Sequence, residues 1–157
     1  MVSVLSLNSP SGEPVPRQVE PGEAPVWADA LARVEQDLAV TLPEHRGLQL
    51  LAVPAWEEGE PEQVYVALAS GTWWGNPLSL DPGASPDDAL GTVAAAAQDT
   101  VSERLWQAWP VCATHHLGMH LTQEESRPAW WCGGGLKEPG HVRCLVGELG
   151  TVRQLPG

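Results

Sequence analysis

A chain of 157 residues, 43% hydrophobic and 18% charged, can bury a core; this excludes global disorder and fits one domain with room for a small appendage. Its net charge of −12 and pI near 4.6 give it no electrostatic footprint for nucleic acid or an anionic membrane. No apolar run approaches the roughly 20 residues of a membrane span, and three cysteines, all in the last third, argue against a secreted disulfide framework.

The opening residues lack the positive flank and long apolar region of a signal peptide, so a cytoplasmic location is expected. Val2 to Leu7 alternates apolar and serine positions as a short edge strand would. Asn8 to Pro25, rich in Pro, Gly and Glu, reads as a stiff, solvated lead-in. Phenylalanine is absent and tryptophan numbers 8, so aromatic core volume must come from indoles, whose N–H groups need partners when buried.

The first helix begins at Pro25, where proline suits the first turn, and Pro43 closes it. Trp27, Leu31, Val34 and Leu38 recur at the spacing of one buried stripe, with Asp29, Arg33, Glu35, Gln36 and Asp37 mostly off it. Leu48 to Val53 and the alternating Val64, Val66 and Leu68 predict two strands of an antiparallel hairpin, joined through the charged turn Glu57 to Glu62. Thr72 to Leu80 is the candidate third strand, placing Trp73 and Trp74 on opposite faces with one of them exposed.

The second helix carries the clearest start signal: Ser85 as N-cap, Pro86 at the first helical position, and Asp87 and Asp88 against the positive helix end. Leu90, Ala94, Ala97, Val101, Leu105 and Ala108 form a narrow stripe whose alanines would allow close approach to a sheet, and Pro110 stops it. Helix, three strands, helix is the topology of double-stranded-RNA-binding domains. Their phosphate-holding helix N-terminus is basic, whereas this one offers Asp87 and Asp88, and RNA binding is rejected.

From Trp109 to Glu148 the chain concentrates every cysteine and four of its five histidines, the raw material of a metal or reactive site. Cys112 and His115 form a C-x2-H pair that a tight turn can aim at one ion. Cys132 follows an apolar strand and precedes Gly133 to Gly135. The fourth ligand is His141 or Cys144; His141, at a strand mouth, is favoured, because Cys144 shares a face with Val142 and Val146 and reads as a core thiol. The layout is knuckle, strand (His116 to Leu121), turn (Thr122 to Pro128), strand, glycine loop and strand (Val142 to Leu149). It resembles a degenerate zinc ribbon with structural zinc, departing from that family where Cys132 lacks the second cysteine of a C-x2-C knuckle.

A catalytic reading competes: Cys112 as nucleophile with His115, His116 or His120 as base and Glu124 or Glu125 orienting the imidazole, or a zinc with an open position using His116 or His120. No protease or deaminase signature accompanies it. The separated pairs Trp73–Trp74, Trp106 with Trp109, and Trp130–Trp131 read first as core and second as a partner-binding face.

Residues Trp27 to Glu148 also resemble small uncharacterised actinobacterial proteins through Trp109, Pro110, Cys112, His115, Trp130, Trp131, Cys132 and the Val146 to Leu149 segment, a likeness that implies architecture and no activity. The expected organisation is α+β: a lead-in (1–24), a helix–three-stranded antiparallel sheet–helix domain (25–109), a zinc-ribbon-like β appendage (110–150) and a tail (151–157). The expected role is a non-catalytic acidic adaptor, inhibitor or immunity-type protein with a basic protein partner. A small zinc- or cysteine-dependent enzyme is the alternative. Oligomeric state is not legible.

Overall fold

A computed structural model describes residues 15–55, 57–135 and 139–151. The expected edge strand at Val2 to Leu7 lies outside them. The architecture is α+β, with two helices and two three-stranded antiparallel sheets.

The first sheet is built from β1 (Arg17–Gln18), β2 (Gln49–Val53) and β3 (Gln63–Ala67), in that spatial order. Its third strand therefore precedes the first helix and comes from the proline-rich lead-in, where Arg17 pairs with Ala52 and Gln18 with Leu51. The segment Thr72 to Leu80 forms no strand. It touches β3 only at single bridges, Ala67 with Trp73 and Val64 with Leu78. Three steps along β3 face five along this segment, so a continuous ladder cannot form; Gly75 (φ 93°) and Pro77, which has no N–H, interrupt it. Thr100 from the second helix serves Trp74 instead, its hydroxyl accepting the Trp74 N–H at 3.1 Å and donating to the Val66 carbonyl at 2.8 Å. Trp74 is exposed and Trp73 half-buried, although the strand expected to set them on opposite faces does not form.

Helix α1 (Pro25–Thr41) buries Trp27, Ala30, Val34 and Leu38, with Leu31 half-buried. Asp37, expected off the stripe, is wholly buried on it. Helix α2 (Pro86–Leu105) starts as its sequence dictates, with the Ser85 hydroxyl accepting the Asp88 N–H at 3.1 Å. It ends five residues before Pro110, because Trp106 enters the left-handed region (φ 55°) and its indole stays 89% exposed; Ala108 is outside the helix. α2 packs most extensively on α1, and also on β3.

The second sheet, β4 (His120–Glu124), β5 (Arg127–Cys132) and β6 (His141–Leu145), packs on α2 through β4 and β5. The turn expected over Thr122 to Pro128 shrinks to Glu125 and Ser126, both left-handed (φ 51° and 67°), the backbone twist a two-residue hairpin demands. The last strand stops at Leu145, and Val146 to Leu149 folds into a turn through Gly147 (φ 97°), whose missing Cβ would meet Arg33 at 3.2 Å.

One hydrophobic cluster joins Trp27, Val34 and Leu38 of α1 and Val93, Ala97 and Val101 of α2 to Trp109, Cys112, Met119, Trp130 and Cys132. The expected appendage thus shares the core of the first sheet. Buried indoles find the partners they need: Trp27 donates to the Asp81 carbonyl (3.0 Å), Trp109 to Thr41 Oγ1 (2.8 Å) and Trp130 to Asp37 Oδ2 (2.8 Å). Trp109 and Trp130 meet edge to face at 5.6 Å.

Candidate metal centre

The turn carrying Cys112 and His115 is fixed by its own backbone. Met119 N–H donates to the Pro110 carbonyl (2.7 Å), Cys112 N–H to Leu117 (2.8 Å) and His116 N–H to Cys112 (2.7 Å), with His116 left-handed at φ 58°. Cys112 therefore points inward beside His115, and His116 points away into solvent.

Cys132 ends β5 and His141 begins β6 directly across from it. Just beyond Cys132, Gly134 takes a left-handed backbone (φ 79°) and its N–H reaches the Cys132 sulfur at 3.4 Å. A register shift brings His141 to face inward: Trp130 pairs with Cys144 and Trp131 with Val142, so Arg143 is an extra residue on β6. Strict alternation would have put His141 opposite Cys144; the bulge turns both inward. It also turns Val142 out to 37% exposure, against the expectation that it shares the inner face of Cys144 and Val146.

The ligand atoms of Cys112, His115, Cys132 and His141 all lie within 4.8 Å of one another. Cys132 Sγ is 3.4 Å and Cys112 Sγ 3.7 Å from His115 Nδ1, and Cys112 Sγ is 3.9 Å from His141 Nε2. A tetrahedron with Zn–S of about 2.3 Å and Zn–N of about 2.05 Å has sulfur–nitrogen edges of about 3.6 Å, so the donors sit near the edges of such a tetrahedron. Two thiols and two imidazoles are a donor set that fits zinc.

The electrostatics match. Burial raises the Cys112 thiol, but hydrogen bonds from the His115 backbone and ring, the Thr114 backbone and the Cys132 thiol outweigh it and bring it from 9.0 to about 7. Cys132 moves the other way, raised by burial and by Cys112 beside it, with the Gly134 N–H opposing. One thiolate thus suppresses the second, and a dication between them would let both ionise.

The other candidates fall outside the cluster. His116 and His120 are exposed, His120 lying 6.1 Å from the Trp131 ring. Cys144 packs against the core, and burial pushes its thiol up to about 12. Glu124 and Glu125 sit at the hairpin tip, where neither orients an imidazole among the described residues.

Sequence reasoning missed Asp37. Its carboxylate accepts N–H groups from Trp130, Gly147 (2.6 Å) and Leu149 (2.9 Å), tying α1 to β5 and to the turn after β6. Burial raises its pKa, and those three donors oppose the rise. The signal was available: Ala30, Val34 and Asp37 follow the same four-and-three spacing as the buried stripe.

No protein-family model, curated protein or solved structure matches this chain. Among the described residues, no helix is long and apolar enough to cross a membrane.

Proposed function

We propose that this is a non-catalytic, acidic cytoplasmic protein that binds a basic protein partner, with a structural zinc held by Cys112, His115, Cys132 and His141. The observation that carries the metal is the convergence of two sulfur and two imidazole nitrogen donors within 4.8 Å from three separate backbone segments. Such an ion would clamp the knuckle to the β5–β6 junction and complete a zinc-ribbon-like second sheet. The pattern shared with small actinobacterial proteins would then be the pattern of that clamp.

Burial separates this reading from the enzymatic one. A thiol brought to about 7 suits a nucleophile as well as a ligand, but Cys112 and Cys132 are both 0% exposed. Four protein donors would also fill a tetrahedral ion, leaving none of the open positions catalysis uses. The net charge of −12 favours association with a positive surface.

Metal analysis of untagged protein by mass spectrometry, with thermal melts before and after chelation, tests the reading. One zinc per chain and a large chelator-induced destabilisation are expected. Metal-free protein whose melt ignores the chelator overturns the structural centre.

A further inference from the structure

The outer side of the first sheet carries a groove that no part of the metal centre uses. Its volume is about 350 Å³, and Val53, Pro54, Glu57, Glu60, Tyr65 and Trp73 line it. The Tyr65 and Trp73 rings stack at 5.0 Å with their planes 26° apart. The aromatic wall thus arises where the failed third strand folds back on β3.

The acidic loop above it divides in two. Glu62 is committed: Arg17 holds it with two guanidinium N–H bonds, at 2.8 and 3.1 Å. Arg17 also spends a third N–H on Glu23, leaving it no part in the groove. Glu57 and Glu60 are exposed, and their carboxylates have no hydrogen-bonding or ionic partner among the described residues. Ring faces draw cations through their quadrupole, and carboxylates at the rim supply the complementary charge.

We propose that this groove receives an arginine side chain of the basic partner, its guanidinium stacked on the Tyr65–Trp73 pair and hydrogen-bonded to Glu57 and Glu60. Arginine fits better than lysine because its planar, weakly hydrated head both stacks and pairs with carboxylates. The apolar Val53 and Pro54 suit the methylene stem. This inference rests on the reading of the chain as a binder of a basic protein and names where on its surface the contact falls.

The test is titration of the zinc-loaded full chain with a short acetylated Gly-Arg-Gly-Arg-Gly amide, followed by amide and indole NMR shifts at low salt. Its citrulline counterpart, isosteric and uncharged, is the control. The Trp73 indole and the Gln63 to Ala67 amides are expected to move, with ring-current shifts on the arginine methylenes. E57Q/E60Q, at two exposed positions with no packing role, is expected to weaken binding about tenfold with an unchanged melt. Shifts confined to other surfaces overturn the groove and leave the basic-partner reading standing. No shifts anywhere overturn both. Equal shifts with citrulline, or binding indifferent to E57Q/E60Q, overturn the charged recognition. Metal content decides the zinc independently of all these outcomes.

Discussion

The two sheets are closed by different means. The first sheet's irregular border, Trp73 to Leu78, is secured within the core by a neutral side chain of α2, Thr100, which serves Val66 and Trp74. A charged group that α2 adds there, Arg104, donates to the Trp73 carbonyl at 2.8 Å and lies over the Trp74 ring at the exposed surface, where it contributes little. The second sheet is closed by groups that are charged or become so. Two thiols and two imidazoles meet at one end of β5, and the Asp37 carboxylate gathers three N–H donors around Trp130 and the turn after β6. This region buries polar groups along with its apolar ones, the Trp130 indole N–H and two thiols among them, and concentrated polar interactions satisfy them. The first region should therefore tolerate changes of solution chemistry that the second does not.

The largest effect is expected from removing a ligand. Cys132→Ser should abolish binding of the proposed zinc and destabilise the second sheet by several kcal/mol, less than the roughly 10–16 kcal/mol that a structural zinc contributes in zinc-finger peptides. Cys144→Ser is the matched control, since Cys144 lies outside the cluster and should leave metal content unchanged. Hydrogen exchange locates the damage: protection should fall over His120 to Leu145 and persist in α1. Loss spread evenly over both regions would mean that the sheets unfold as one unit and that the comparison has no energetic content.

Asp37 comes next. Asp37→Ala strands the buried Trp130 N–H and the half-buried Gly147 and Leu149 N–H groups and should cost about 3–5 kcal/mol. Asp37→Asn must turn its NH2 toward at least one of those donors, at about 1–3 kcal/mol. The pH dependence has a definite sign. Burial raises the folded-state pKa above the usual 3.8, so the folded protein binds the proton more tightly than the unfolded chain. This group's contribution is therefore most favourable below pH 3.8, declines as pH rises through the raised folded value and is flat beyond it. Melting curves of wild type and Asp37→Asn over that window isolate the term. An identical pH profile for the two proteins would remove Asp37 from the account.

How much of this was legible follows the same division. The first helix, the β2–β3 hairpin and the Ser85 cap were readable because they rest on local periodicity and capping chemistry. The four clustered residues were readable because thiols and imidazoles are rare elsewhere in the chain. What escaped depends on nonlocal partners. Thr72 to Leu80 has strand composition, but only Thr100, more than twenty residues on, shows why Trp74 has no strand partner. Val146 to Leu149 likewise looks extended until the Asp37 carboxylate takes the N–H groups of Gly147 and Leu149. The choice of His141 over Cys144 had physical support, whereas the Arg143 bulge that lets both face inward left no mark in the apolar pattern.

Thr100→Val is the counterpart test on the first region. The substitution keeps the shape and removes the hydroxyl, leaving the buried Val66 carbonyl and the Trp74 N–H without this partner, at about 1–3 kcal/mol. Metal content and chelator sensitivity should be unchanged. A fall in zinc affinity would show that the helix pair transmits strain between the sheets.

The smallest effect asks whether the second sheet exists without the proposed ion. Ser126 occupies the left-handed region at φ 67°, where a side chain costs about 1 kcal/mol that glycine avoids. Ser126→Gly should therefore raise stability by up to about 1 kcal/mol, less a few tenths for the greater freedom of the unfolded chain. The gain depends on the β4–β5 turn being formed and on nothing at the metal centre. Measured by denaturant unfolding of zinc-loaded and chelated protein, it should appear in the loaded form in either case. If it persists after chelation, the hairpin stands on its own pairing and the ion fixes only the knuckle and β6. If it vanishes, the zinc organises the whole sheet, and the contrast between the two regions extends from their closing contacts to every strand they contain.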